Sequence, residues 1–434
     1  MTLRQASAPN QGQAPALDHE ALVRTRLHVQ PPNGWLNDPN GLCRIDGTYH
    51  VFYQHNPDGP VHSNIHWGHA SSPDLLRWTD EPIALAPTPG TINAQGCWSG
   101  CIVDDDGVPT AVYTAVSDGP HNAVVGLARS DRELQSWVPD PVGKIGNPDD
   151  PSIAEVRDPF VFTHSGKRYA VQGAGHPYGS PQLLLYSCDD LNSWTFLGPL
   201  LTIDDPVAAS VAPANIWECP NLFRIGDSWV LIISLWRQLD AYYQLFGVRY
   251  LVGDLVAGEG EGLRFVARAG GTVDDGDTFY APQVLVESDR VLLWGWAWEG
   301  PHRSPTQIED AGWAGVLTFP RELLLDGDVL VSRPAAELSG LRTELLEPDE
   351  AGTISAHAFE IVAAGPVELV LTDPAAGFRD QVVRTSGPGR ILVDGSIIEA
   401  YGDGPSTTTR HYPTETSRWE IDSSDDYQVW ALGN

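Results

Sequence analysis

The sequence predicts an all-β protein, a five-bladed β-propeller followed by a small C-terminal β-sandwich. A turn followed by an apolar, aromatic run recurs five times at a period near sixty residues. Four short strands with their turns need about that length, which is one propeller blade. A second motif rides on the same period, and almost no stretch holds apolar residues at helical spacing over three turns. The composition agrees: Gly (43) and Pro (35) are plentiful enough for many turns, and the 15 Trp exceed what a core needs.

In chain order, residues 1–23 are polar and contain no apolar signal core, so a flexible tail is expected there. The propeller is expected over 24–330. Its five turns are Asp46-Gly47, Asp106-Gly107, Ser165-Gly166, Gly226-Asp227 and Ser288-Asp289. Each leads into a strand such as Tyr49–Tyr53, Tyr169–Val171 or Trp229–Ile233. Counted at Gly47, Gly107, Gly166, Gly226 and Asp289, the steps are 60, 59, 60 and 63. The second motif, Ser-x-Asp-Leu-x-x-Trp in its first copy, ends at Trp78, Trp137 and Trp194, with steps of 59 and 57. Residues 331–348 are expected to link the domains, with helical spacing at Ala335–Leu346. Residues 349–434 alternate as strands do, for example Val367–Leu371 and Ile391–Val393, and predict the sandwich.

The formal net charge is −31, which disfavours a phosphate backbone as partner, so no nucleic acid is expected. No stretch is long and apolar enough to span a membrane. The five cysteines, Cys43, Cys97, Cys101, Cys188 and Cys219, follow no disulfide or zinc spacing. Reduced thiols, no metal, no cofactor and a cytoplasmic location are expected. Oligomeric state leaves no signal in the sequence.

Eight or nine residues ahead of each repeat turn lies a polar residue in a distinctive setting. These are Asp38 in Trp35-Leu36-Asn37-Asp38-Pro39-Asn40-Gly41, Ser99 after Trp98, Asp158 in Arg157-Asp158-Pro159, Glu218 in Trp217-Glu218-Cys219-Pro220, and Tyr280 before Ala281-Pro282. Their steps are 61, 59, 60 and 62. Taken singly, each has a bland reading: a turn, a structural ion pair, a strand-edge charge. Taken together, they converge on the mouth of the central channel. Three carboxylates crowded there raise one another's pKa values, an arrangement that is costly unless it is used.

These residues resemble glycoside hydrolase family 32, which includes invertases, fructan hydrolases and related fructosyltransferases. The resemblance rests on the 35–41 run, Arg157-Asp158-Pro159 and Glu218-Cys219. Support comes from Phe52-Tyr53-Gln54, His66-Trp67-Gly68-His69, Tyr280–Gln283 and Gly312–Leu323, and in the sandwich from Val393-Asp394 to Glu399 and Arg410 to Pro413. It implies a retaining double displacement on β-fructofuranosides. Asp38 would be the nucleophile, Glu218 the acid/base, and Asp158 would accept hydrogen bonds from sugar hydroxyls, kept ionised by Arg157. Asn37, Gln54, His62, Trp67, Trp98, Ser99, Arg157, Tyr280 and Trp296 would bind the sugar. The chain departs from the family at His62-Ser63, where Trp-Gly is usual, and at Thr278, where Asp is usual. The implied substrates are sucrose, fructo-oligosaccharides or fructan ends. A fructosyltransferase and a non-catalytic fructan-binding propeller are the alternatives.

Overall fold

The computed structural model describes residues 22–240 and 242–433. The expected flexible tail lies outside these residues except for its last two. Of those, Val23 is buried and its carbonyl accepts the Ser396 amide, so the chain is already docked on the sandwich at that point.

Among the described residues the strands form a five-bladed propeller and a two-sheet sandwich. Blade one is β1 (Gly34–Ile45), β2 (Thr48–Asn56), β3 (His66–Ser72) and β4 (Thr79–Leu85). Blade two is β5 (Gly96–Asp105), β6 (Val108–Val116), β7 (Val124–Ser130) and β8 (Trp137–Pro139). Blade three is β9 (Glu155–His164), β10 (Lys167–Gly175), β11 (Gln182–Ser187) and β12 (Thr195–Thr202). Blade four is β13 (Ile216–Ile225), β14 (Ser228–Leu239), β15 (Tyr242–Ala257) and β16 (Leu263–Thr272). Within each, consecutive strands pair antiparallel, and each two-residue repeat turn joins the first strand to the second. Both faces of the second strand are covered by neighbouring blades. That is why β14 reads as a continuous apolar run, buried from Trp229 to Leu235, rather than as an alternation.

Blade five contains the ring closure. It starts with β17 (Phe279–Val286) and β18 (Val291–Ala297), then breaks for a short helix, α1 (Pro305–Ala311). Ser304 and Gln307 close this helix with a reciprocal capping box, and Gly312 ends it in the left-handed region. Two-residue strands follow. β19 (Trp313–Ala314) pairs parallel with β1 and joins the last blade to the first; β20 (Val316–Leu317) pairs with β18. Between them Gly315 has φ 81°, and a Cβ there would stand 1.9 Å from the Leu36 carbonyl oxygen, so only glycine permits the closure. β21 (Arg321–Asp326) and β22 (Val329–Pro334) complete the blade.

The linker differs from the expectation. β22 runs past residue 330, and Ala336–Leu341 is a 3-10 helix whose Leu338 and Leu341 are buried. Leu338 and Leu341 lie three residues apart, the spacing that falls on one face of a three-residue turn, and Ser339-Gly340 disfavours an α-helix. Arg342–Leu346 is already an edge strand of the sandwich. The sandwich is a six-stranded sheet over a four-stranded one, with Phe359, Ile361, Leu369, Ile391, Val393 and Ile398 between them.

A buried polar network ties sandwich to propeller. Arg321 is fully buried and pairs with Asp274 and Glu399, each at 2.7 Å. His28 bridges Asp394 (2.8 Å) and Glu399 (3.2 Å), and Asp394 also accepts the Arg26 and Leu27 amides. Arg410 donates to the Ala297 carbonyl. The sandwich residues that carried the resemblance, Asp394, Glu399 and Arg410, therefore all face the propeller.

Candidate active site

In every blade the innermost strand carries a β-bulge near its N-terminal end. The bulged residues are Asp38 in β1, Trp98-Ser99 in β5, Asp158-Pro159 in β9, Cys219-Pro220 in β13 and Ala281-Pro282 in β17. Neighbours in a regular strand face opposite sides of the sheet; a bulge re-aims them. Asn37 with Asp38, and Arg157 with Asp158, consequently line the same cavity. Asp158, Cys219 and Ala281 take positive φ values of 60°, 45° and 45°. That conformation is tolerated by Asp and strained for the other two.

The bulges also correct the phase read from sequence. Asp38, Ser99 and Asp158 lie within their bulges, as Cys219 and Ala281 do. Glu218 and Tyr280 lie one residue earlier, last in register before the bulge, like Asn37 and Arg157. Glu218 reaches the cavity from a different strand position than the two aspartates.

The cavity at the channel mouth measures about 660 Å³, and Asp38, Asp158 and Glu218 all line it. Asp38 is held by neutral donors. Ser99 Oγ donates to Oδ2 at 2.6 Å, Gln54 Nε2 to Oδ2 at 3.1 Å, and Asn37 Nδ2 to Oδ1 at 3.0 Å. Trp35 Nε1 in turn donates to Asn37 Oδ1 at 2.7 Å, fixing the amide. Glu218 is held quite differently. Arg157 Nε donates to its Oε1 at 2.9 Å and the Tyr280 hydroxyl to its Oε2 at 2.6 Å. Arg157 is shared with Glu155, another cavity residue. Asp158 Oδ2 accepts the Cys219 amide at 2.9 Å, and its own amide donates to Thr114 Oγ1 at 2.8 Å.

Burial lifts Asp38 above the ordinary carboxylate range; the Ser99 and Asn37 hydrogen bonds oppose it and the Glu218 charge adds to it. Asp158 is pushed up to about 7, first by burial, then by the Glu218 charge, with Arg157 pulling against both. Arg157 itself stays charged, because Glu218 and Glu155 outweigh its burial.

Most of the expected sugar-binding residues line the cavity: Asn37, Gln54, His62, Trp98, Arg157, Tyr280 and Trp296. Two do not. Ser99 is buried behind Asp38 and acts on it directly. Trp67 is fully buried in β3 and donates from Nε1 to the Trp98 carbonyl, so it supports the wall rather than forming it. His62 takes the place of the family's usual Trp and still stands edge-on to Trp35 and Trp98, with ring centroids at 6.2 and 5.8 Å. Thr278 and Asp277 do not line the cavity; Thr278 bonds the Thr408 carbonyl, and Asp277 bonds His302 and Thr409. Sequence reasoning missed Trp35, Glu155, Trp236, Tyr243 and Trp298. For Trp35 and Glu155 a signal was present: each lies two residues before a chosen residue, on the same side of its strand.

Residues 28–334 match the family described as glycosyl hydrolases family 32 N-terminal domain. Over 333 residues the chain is 36% identical to a sucrose-6-phosphate hydrolase of Escherichia coli, covering 73% of this chain and 66% of that protein. Over 332 residues it is 35% identical to a raffinose invertase of Escherichia coli, covering 73% and 65%. The match thus spans just under two thirds of the length of these two relatives. The solved structure of a β-fructofuranosidase from Bombyx mori superposes with a TM-score of 0.78 over 95% of both chains, at 27% identity. With that family domain spanning nearly the whole propeller, and relatives matching over almost three quarters of its length, the chain belongs to glycosyl hydrolase family 32.

Proposed function

We propose that the chain hydrolyses β-fructofuranosidic bonds, in sucrose, fructo-oligosaccharides or fructan ends, with retention of configuration. The observation that carries this is the unequal setting of two carboxylates in one cavity. Asp38 accepts from four neutral donors, Ser99, Gln54, Asn37 and the Cys219 thiol, and from no cation among the described residues, a setting that holds it in position and leaves it able to form a bond. Glu218 sits between a guanidinium and a phenol, a setting suited to passing a proton to and from a departing oxygen.

In the first step Asp38 attacks the anomeric carbon of the fructosyl unit while Glu218 protonates the leaving oxygen. In the second, Glu218 takes a proton from water, and the hydroxide displaces Asp38 from the fructosyl-enzyme. Asp158, anchored by the Cys219 amide, accepts sugar hydroxyls whose hydrogen bonds tighten as the ring becomes oxocarbenium-like. Trp296 lines the cavity wall, and its buried Nε1 has no hydrogen-bond partner among the described residues. All five cysteines are free, which supports a reducing, cytoplasmic setting. Among the described residues no helix is long and apolar enough to cross a membrane.

The test is incubation with sucrose, inulin and levan, with products resolved by chromatography and early product followed by NMR. Release of fructose as the β-anomer first supports the reading. Release of the α-anomer first, or no turnover of any fructoside, sinks it.

A further inference from the structure

The cavity is asymmetric, and its tall side lies in blade four. β14 runs five residues past Ser234, the last residue in register with the inner strand before the bulge, whereas β2 and β10 run two residues past Gln54 and Gly173. The extra length pairs with the start of β15, Trp236 opposite Leu245 and Gln238 opposite Tyr243, and stands over the cavity mouth. The Trp236 and Tyr243 rings stack at 5.6 Å and 17°, and both line the cavity. Tyr243 is 60% exposed, unusual for a ring held in a stack and oriented by a hairpin. Trp298, half-buried, lines the same cavity.

Charge divides the same cavity. Four carboxylates line it, Asp38, Glu155, Asp158 and Glu218, against one cation, Arg157, which is engaged by Glu155 and Glu218. Arg237, the next residue along the hairpin, does not line the cavity and lies over the Phe246 ring at 4.4 Å.

We infer that the overhanging Trp236–Tyr243 hairpin is the platform for the leaving group, and that it takes an uncharged sugar, so that sucrose is a better substrate than sucrose 6-phosphate. This rests on the fructosidase reading above and names the substrate class within it. A glucosyl ring presents an apolar face of C–H groups that stacks on indole and phenol; a phosphate on that ring finds no free cation among the described lining residues and meets the negative charge of Asp38 and Glu155. Two of the relatives are called hydrolases of different sugars, one of them phosphorylated. The cavity lining decides between these two chemistries for this chain.

The experiment measures kcat and KM for sucrose, sucrose 6-phosphate and methyl β-fructofuranoside in the wild type, Tyr243→Ala and Tyr243→Phe. For the wild type, kcat/KM for sucrose should exceed that for sucrose 6-phosphate by about tenfold, with the gap narrowing at high salt. In Tyr243→Ala the sucrose KM should rise about fivefold at nearly constant kcat, methyl β-fructofuranoside should lose far less, and Tyr243→Phe should restore sucrose. A preference for sucrose 6-phosphate, or equal losses on sucrose and the methyl fructoside, overturns the platform. No turnover of the methyl fructoside by the wild type would instead overturn the fructosidase reading itself.

Discussion

Asp158→Asn should stabilise the fold and abolish activity, and the stabilisation should depend on pH. In the folded chain Asp158 is pushed up to about 7, from an ordinary value of 3.8. A carboxyl whose folded pKa lies above its unfolded one contributes stability that is fully present below pH 3.8 and is lost as pH rises through 7. At pH 8 the native protein carries this charge at a cost on the order of 4 kcal/mol, taking about 1.4 kcal/mol per pKa unit. Asparagine keeps an oxygen for the Cys219 amide, tolerates the φ of 60° and never ionises. For a chain of 434 residues the unfolding entropy is about 0.9 kcal/mol/K, so the gain is about 4 °C in Tm at pH 8. At pH 4 the two proteins should melt within about 1 °C of each other. The assay is thermal unfolding followed by circular dichroism across pH 4–8, with sucrose hydrolysis measured in parallel. A Tm difference that does not change with pH, or a variant that melts below wild type at pH 8, would refute the account of Asp158 as a strained, repelled carboxylate.

The remaining predictions follow from the same contacts. The acid limb of kcat/KM should lie above the 3.8 of an ordinary aspartate, because burial and the Glu218 charge lift Asp38, and activity falls as pH drops through its pKa; a limb at or below 3.8 would contradict this. Glu218→Ala should lose several orders of magnitude on sucrose but much less in the first step on a fructosyl fluoride, and added azide should rescue breakdown of the fructosyl-enzyme; equal losses on both substrates would deny it the acid role. His62→Trp puts an indole between Trp35 and Trp98 and should shift preference between sucrose and longer fructans, read as a change in the ratio of kcat/KM values. Glu399→Gln leaves Arg321 with Asp274 as its only carboxylate and should cost about 3–5 kcal/mol, seen as a Tm loss near neutral pH. Glu399 is held down to about 2, so its contribution is in place above pH 4.5 and disappears as pH falls towards 2, where the variant's deficit should close.

What the sequence shows and what it hides follow from the construction of a blade. The period is legible because every blade needs the same tight turn between its first two strands, and the turn residues Asp46-Gly47, Asp106-Gly107 and Ser165-Gly166 leave a chemical mark. The carboxylates are legible because a proline stands at or just after the bulge in three of the blades, Pro39, Pro159 and Pro220. The extra residue in a bulge leaves no such mark, so the one-residue offset of Glu218 from Asp38 and Asp158 appears only with the strand register. The motif around Trp67 is distinctive and points to the sugar. Trp67 itself lies on β3 with its ring packed in the core against Phe52 and Tyr113, and its Nε1 donates to the Trp98 carbonyl behind the cavity wall. Trp236 and Tyr243 escaped for the opposite reason. They sit at the end of blade four, where the stretch Trp236–Leu245 has no repeat partner in any other blade and resembles an ordinary loop until the hairpin pairs it. A repeat reveals what the blades share, and the three cavity carboxylates lie in or just before the shared bulge. The wall proposed for the leaving group is built from what blade four adds to the repeat, so the period that reveals the carboxylates passes over it.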